Sequence, residues 1–338
     1  MKAMRIEGEW GLANLRPADL PEPAVASDDV LIRMEAVSIN PRDRILVEGG
    51  YGRMAGALPL IPLCDGAGRV IATGANVTHI AAGDLVCPTY SRTWLDGTAG
   101  PDTHHGSHGG MIDGTAAELM AVPAAAVVKA PGHLDAREAA ALPCAAVTAW
   151  NAIVETGDVG GGDTVLLQGT GGVSLFALQF AKMRGADVIL ISSSDEKLEV
   201  AKSHGADHLI NYRIEPDWQK QARAITDGRG VDHIVDIGGA GTLDKSIAAL
   251  RPSGMISLIG VLGGAVSELQ LGRVVTRHIR LQGITVGSRA MFQRMAEAMA
   301  QHGTRPVLDA DRFTLPDLAQ ALDRLPAGRH IGKIVGTV

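Results

Sequence analysis

The chain has 338 residues, of which 46% are hydrophobic and 20% charged, enough for two domains with buried cores. A net charge of −6 with no basic run excludes a nucleic-acid backbone as the main partner. The opening "MKAMRIEGEW" lacks an apolar leader, and no stretch of about 18 apolar residues occurs, so neither a signal peptide nor a membrane span is expected.

Residues 1 to about 130 read as short strands between glycine and proline turns. In "DDVLIRMEAVSIN", Val30, Ile32 and Met34 alternate with Leu31, Arg33 and Glu35, the pattern of a strand with one buried face. "CDGAGRVIATGANV" and "AAGDLVCP" add further strands. From about 135 helices and strands alternate. Asp163–Gln168 is a strand, and Gly171–Arg184 is a helix with Val173, Phe176, Ala177, Phe180 and Ala181 on one face. "ADVILIS" is the next strand. Ser193 with Glu196 then fits a capping box for the following helix. "DHLINY", "VDHIVDIG", "MISLIGV" and "IRLQGI" continue the series, which implies a doubly wound parallel sheet. Helices near 290–301 and 315–325 and a last strand, 331–338, form a tail expected to return to the first domain.

The stretch "LLQGTGGVSLFALQFAK" (166–182) is strand, glycine turn and helix. Gly169, Gly171 and Gly172, with Val173 beginning the helix, let phosphate oxygens approach the backbone at a helix N terminus. The last glycine of the usual dinucleotide fingerprint is Ser174, small enough to stand in. A methyltransferase also uses such a turn, so the turn alone does not name the chemistry. The next strand ends in Ser192, where a carboxylate would hydrogen-bond an adenosine ribose and repel a 2′-phosphate. Ser192, Ser193 and Lys197 favour NADP(H) over NAD(H). The competing reading makes Ser193 only a cap and Lys197 only a solvated helix face.

The motif order "SINPRD", "PLIPLCDGAGRVIATGANV", "AAGDLV", "ALPCAAVTAW", "GTGGVSLFALQFAK", "INYR", "GRGVDHIVDIGG" and "HIGKIVG" covers nearly the whole chain. It resembles the medium-chain dehydrogenase/reductase superfamily, and within it the zinc-independent, quinone-oxidoreductase-like branch. The resemblance implies an α/β fold, with a GroES-like β-rich catalytic domain (1–130 and 288–338) split around a Rossmann NADP-binding domain (131–287). It places Thr148 against the nicotinamide, Gly260 and Val261 beside its carboxamide, and Tyr212 near the 2′-phosphate with Ser192 and Lys197. Asn40 and Tyr51 match residues lining the nicotinamide and substrate cleft, and Lys333 matches a residue close to the cofactor.

Zinc-dependent relatives take ligands in the segments matching "SIN", "LCDGAG" and "LPC". Here those places hold Asn40, Cys64 and Cys144. Asn is a poor zinc ligand, and three widely spaced cysteines cannot supply the structural four-cysteine cluster, so no metal is expected. Cys64, Cys144 and Asp65 still leave open a metal site, and with it a zinc-dependent alcohol dehydrogenase. The cysteines make no CxxC and no disulfide framework, which suits a reducing cytoplasm. In "THHGSHGG", His104, His105 and His108 sit in a glycine-rich loop read as mobile and solvated, from which one histidine, or Trp94, could touch substrate.

Together these features lead us to expect a cytoplasmic, NADPH-dependent oxidoreductase that passes hydride to a quinone or an α,β-unsaturated carbonyl without metal. Tyr51 would meet the charge developing on oxygen and Asn40 would orient the nicotinamide ribose or the substrate. A non-catalytic NADPH-binding protein is the alternative from another class. The apolar strand "IRLQGI", with Ile279, Leu281 and Ile284, suggests a homodimer joined through residues near 265–285.

Overall fold

Short strands bounded by turns open the chain: β1 (Lys2–Ile6), β2 (Leu15–Asp19) and β3 (Asp29–Ser38). Helix α1 (Pro41–Val47) precedes β4 (Asp65–Thr73), β5 (Leu85–Pro88), β6 (Leu119–Pro123) and β7 (Val127–Lys129). Helices α2 (Ala136–Ala140) and α3 (Val147–Trp150) lead to β8 (Thr164–Gln168), α4 (Gly172–Met183), β9 (Asp187–Ser192) and α5 (Asp195–Ser203). The alternation continues through β10 (His208–Asn211), α6 (Trp218–Ile225), β11 (Val231–Asp236), α7 (Leu243–Ala249) and β12 (Leu250–Leu258). Then come α8 (Leu271–Thr276), β13 (Arg280–Gly283), α9 (Arg289–His302), β14 (Leu308–Thr314), α10 (Leu318–Arg324) and β15 (Lys333–Thr337). The computed structural model describes residues 1–52 and 55–338. No helix among them is long and apolar enough to cross a membrane.

Two compact units result, Met1–Val147 with Gly287–Val338, and Thr148–Val286. In the first, a seven-stranded sheet runs β14-β15-β3-β4-β5-β7, with β6 also paired to β3. Val30, Ile32 and Met34 of β3 are buried, as the alternation requires. The tail returns through β15, which pairs antiparallel with β3 and sets Val335 opposite Ser38. The first boundary falls at Val147 rather than near 130. The cause is α2, which packs on β3 and β4 and whose Ala139 carbonyl accepts from the Cys87 thiol at 3.3 Å.

The second unit is a six-stranded sheet in the order β10-β9-β8-β11-β12-β13. Each neighbouring pair is parallel. The order reverses between β8 and β11, and the crevice beyond the carboxyl ends of those strands is where such sheets receive ligands. Helix α4 is fixed by Phe176 and Phe180, both buried, with the Trp150 ring edge-on to Phe180 at 5.3 Å. Strand β13 forms one edge of the sheet. Its flanking Ile279 and Ile284 are buried within this chain, and Leu281 is half-buried. The exposed apolar side chains nearby are Val261, Leu262, Val266, Leu271 and Val275.

Candidate functional site

The glycine turn is set up by the strand before it. Every residue of β8 is buried, and Gly169 follows with a φ of +74°, a conformation that costs any residue with a Cβ. Gly171 is the N-cap of α4, and among the described residues no side chain caps that helix. The N–H groups of its first turn, at Gly172, Val173 and Ser174, therefore have no intrahelical acceptor and lie at the positive end of the helix dipole. That is what a pyrophosphate needs. Ser174 does more than stand in for glycine. Fully buried, its hydroxyl donates to the Gln168 carbonyl at 2.5 Å and ties the helix to the strand.

A second network, not foreseen from the sequence, shapes the neighbouring loops. The buried carboxyl of Asp236 accepts from Gln168 Nε2 (3.0 Å), Ser246 Oγ (2.6 Å), Thr242 Oγ1 (2.8 Å), and the backbone N–H groups of Gly238 (3.0 Å) and Gly239 (2.9 Å). A Cβ on Gly239 would come within 2.9 Å of Val261 Cα, and one on Gly260 within 2.5 Å of the Ile237 carbonyl oxygen. The loops after β11 and β12 thus meet backbone to backbone, which holds Gly260 and Val261 at the carboxyl end of the sheet with Val261 exposed. Thr148 is buried at the start of this unit.

At the end of β9, Ser192 is buried and its carbonyl accepts from the Tyr212 N–H at 3.0 Å, so these two residues are neighbours. The cap of α5 is Ser194, whose Oγ accepts from the Lys197 N–H at 3.5 Å. This corrects the reading of Ser193 as the cap. The helix begins one residue later, and the half-buried Ser193 lies outside it. The first helical residue, Asp195, is held by Asn211 Nδ2 at 2.8 Å.

The first unit gathers the remaining residues into a buried polar cluster. Asn40 is the N-cap of α1, and its N–H donates to Asp43 Oδ2 at 2.8 Å. Its side-chain Nδ2 donates to Asp65 Oδ2 at 2.8 Å, and its Oδ1 accepts from Lys333 Nζ at 2.5 Å. The Lys333 ammonium also donates to the Ile39 carbonyl (3.0 Å) and to Asp65 Oδ2 (2.9 Å). Lys333 is 3% exposed and Asp65 0%. A charged pair held this far from water persists only because both members are hydrogen-bonded. Lys333, expected beside the cofactor, has its three N–H hydrogens matched by these three acceptors.

Arg42 was not singled out by the sequence. Its guanidinium lies 4.9 Å from the Tyr90 ring centre and 5.8 Å from that of Tyr51. It donates to Asp43 Oδ1 at 3.4 Å and to the His108 carbonyl at 3.5 Å. Gly110 makes room for it, since a Cβ there would lie 2.9 Å from Arg42 Nη2. Burial alone would lower Arg42, but Cys64, Tyr90 and Asp43 beside it hold it well above its usual value. Burial raises Tyr51, with Arg42 opposing, so the phenol keeps its proton at neutral pH. Burial, helped by a hydrogen bond with Cys144, pushes the Cys64 thiol well up. The two thiols and a carboxylate oxygen of Asp65 lie within 4.8 Å of one another.

The histidine loop is not wholly solvated. His105 stays exposed, but His108 is buried, with Nδ1 against the Asp113 carbonyl at 3.1 Å. Trp94 is buried too and donates to the Gly97 carbonyl at 3.0 Å.

A doubly wound parallel sheet with an uncapped glycine turn, joined to a β-rich unit, is the arrangement of a two-domain dinucleotide-binding protein. Residues 26–132 match the alcohol dehydrogenase GroES-like domain and residues 172–301 the zinc-binding dehydrogenase family. A zinc-type alcohol dehydrogenase-like protein of Schizosaccharomyces pombe is 40% identical over 332 residues, covering 96% of this chain and 95% of the relative. An acryloyl-coenzyme A reductase of Sulfurisphaera tokodaii is 26% identical and covers 99% of each chain. Among solved structures, an NAD-dependent alcohol dehydrogenase is similar with a TM-score of 0.90 at 31% identity over all of both chains. A mycobacterial protein complexed with NADPH gives 0.83 at 28% identity, again over all of both chains. The chain belongs to the medium-chain dehydrogenase/reductase superfamily, as an alcohol dehydrogenase-like oxidoreductase that uses a nicotinamide cofactor.

Proposed function

We propose that this protein is an NADPH-dependent reductase of quinones or α,β-unsaturated carbonyl compounds that works without a metal. The observation that carries the reading is the Lys333–Asn40–Asp65 network. Asn40 stands where zinc-dependent relatives have a ligand, and its amide is committed to Lys333 and Asp65. Asp65 accepts from an ammonium at 2.9 Å, so a dication on this carboxylate would sit against a fixed positive charge. These residues do not fit a catalytic zinc. Without a Lewis acid an alcohol is hard to oxidise, and hydride transfer to an already electrophilic carbon is the easier reaction. The named reductase of an acryloyl thioester among the relatives supports that acceptor class.

Gly169, Gly171, Gly172 and Val173 would hold the pyrophosphate, Ser192, Ser193, Lys197 and Tyr212 the 2′-phosphate, and Thr148, Gly260 and Val261 the nicotinamide. Bound NADPH supplies the hydride. The chain's own part concerns oxygen, which gathers negative charge as its conjugated carbon is reduced. Tyr51, protonated at neutral pH, donates a hydrogen bond to that oxygen, and the Arg42 charge 5.8 Å from its ring centre strengthens the donor. Asn40 keeps Asp43, Asp65 and Lys333 in register beneath them.

The exposed Val266, Leu271 and Val275, in the chain leading to the β13 edge, support a homodimer joined through residues near 265–285. A zinc-dependent alcohol dehydrogenase is the second reading, favoured by the close approach of Cys64, Asp65 and Cys144. Turnover of a panel of quinones, enones, aldehydes and alcohols with NADPH and NADH, with zinc counted in the same protein, separates the two. Reduction of enones or quinones by zinc-free enzyme supports the first; alcohol oxidation that needs zinc supports the second.

A further inference from the structure

We infer that Lys333 is a built-in counter-cation that keeps divalent metal out of the Cys64–Asp65–Cys144 cluster, and that removing its charge turns this cluster into a site for zinc-class cations. The inference rests on the metal-free reading and names the residue that enforces it.

Two thiols and a carboxylate whose ligand atoms lie within 4.8 Å of one another are most of a zinc site. Their donor types are those zinc selects, and a fourth position can be water. Asn40 in place of a ligand would therefore weaken metal binding only in part, since three protein ligands remain. What distinguishes the cluster is its cation. Lys333 Nζ lies 2.9 Å from Asp65 Oδ2 and spends its other hydrogens on Asn40 Oδ1 and the Ile39 carbonyl. A metal arriving at Asp65 would have to displace a buried ammonium or sit beside it, in surroundings where water cannot screen the repulsion.

The backbone gives the ammonium little freedom to leave. Gly332 has a φ of +71°, and a Cβ there would lie 2.1 Å from the Val307 carbonyl oxygen. The Lys333 N–H donates to that same carbonyl at 3.0 Å. The entry into β15 is thereby pinned, and β15 is anchored along β3. The side chain is delivered into the cluster by the sheet rather than by a loop.

The test compares the full-length parent with Lys333→Met, Lys333→Arg and the double variant Lys333→Met/Cys64→Ser. Each is dialysed against zinc, the metal is counted per chain, and the measurement is repeated with cobalt to look for thiolate-to-metal charge-transfer absorption. The parent and Lys333→Arg should stay well below one ion per chain. Lys333→Met should take up one zinc per chain, with affinity raised by about 100-fold, the upper end of what groups around a metal's ligands control. Its cobalt form should show the charge-transfer band, and Cys64→Ser should remove it. Lys333→Met as metal-free as the parent would overturn the role of Lys333 and leave the metal-free reading standing. Stoichiometric zinc in the parent would overturn both. Should Lys333→Met fail to fold, Asn40→His decides: it adds a good ligand but keeps the ammonium. Asn40→His without metal supports the exclusion, and Asn40→His loaded with zinc refutes it.

Discussion

Acid should destabilise this protein through two buried histidines, one in each unit. His233 is buried, with Nε2 3.0 Å from Ser257 Oγ, and burial pulls its pKa down to about 4. Burial does the same to His108, again to about 4. An imidazole in the unfolded chain takes up its proton near 6.5. Between roughly 6.5 and 4 the unfolded chain therefore holds protons that the folded chain refuses, and stability falls as pH falls through that window. A depression of about 2.5 pH units corresponds to ~3 kcal/mol per histidine when fully expressed, and to ~2 kcal/mol at about pH 5. Asp232 does not blur the window. Its burial would raise it, but hydrogen bonds from Arg229 and Arg251 hold it at about 2, so its contribution is lost only as pH falls from about 4 toward 2. His233→Gln keeps a polar side chain near Ser257 and removes the titration. Urea unfolding of parent and variant at about pH 7.5 and pH 5 gives the change in stability of each. The parent should lose ~2 kcal/mol more than the variant across this interval. Equal losses would refute the assignment of this acid sensitivity to His233.

Three further outcomes are expected. Ser192→Asp should shift cofactor preference toward NADH, because the new carboxylate would face the 2′-phosphate; a tighter grip on NADH than on NADPH in the unmutated protein, measured by fluorescence titration, would contradict the assignment. Ser174→Ala should cost about 1 kcal/mol by removing the bond to the buried Gln168 carbonyl, and should weaken NADPH binding by loosening the turn; unchanged melting temperature and affinity would show that the tie is idle. Light scattering at micromolar concentration should give twice the chain mass, and a value near 35.2 kDa would refute the dimer.

What could be read from the sequence was local. The glycine turn, the alternation in β3 and the succession of helices and strands are set by neighbours a few residues apart, and each is found where its pattern lies. A single added serine in "SSSD" was enough to misplace the cap of α5, since Ser193 and Ser194 have the same chemistry and only the helix start chooses between them. The boundary of the first unit was harder, because α2 belongs to it through packing on strands far back in the chain. His108 looked solvated amid glycines, yet those glycines let the loop fold inward. The polar cluster was the least legible part. Lys333 and Asp65 are separated by 268 positions, and nothing in "HIGKIVG" indicates that its lysine points at "LCDGAG". Nothing local marks Arg42, one arginine after a proline at a helix start, whereas in the fold it lies against Tyr90 and beside the thiols.

The most direct test of metal-free reduction is to follow NADPH oxidation by enones and quinones with enzyme stripped by a strong chelator, counting zinc in the same sample. Reduction should proceed at the untreated rate with far less than one zinc per chain, and Tyr51→Phe should slow it by roughly 100-fold, the loss expected on removing one donor to a developing oxyanion. Activity that vanishes on chelation and returns with zinc would contradict the reading and make the Cys64–Asp65–Cys144 cluster a metal centre.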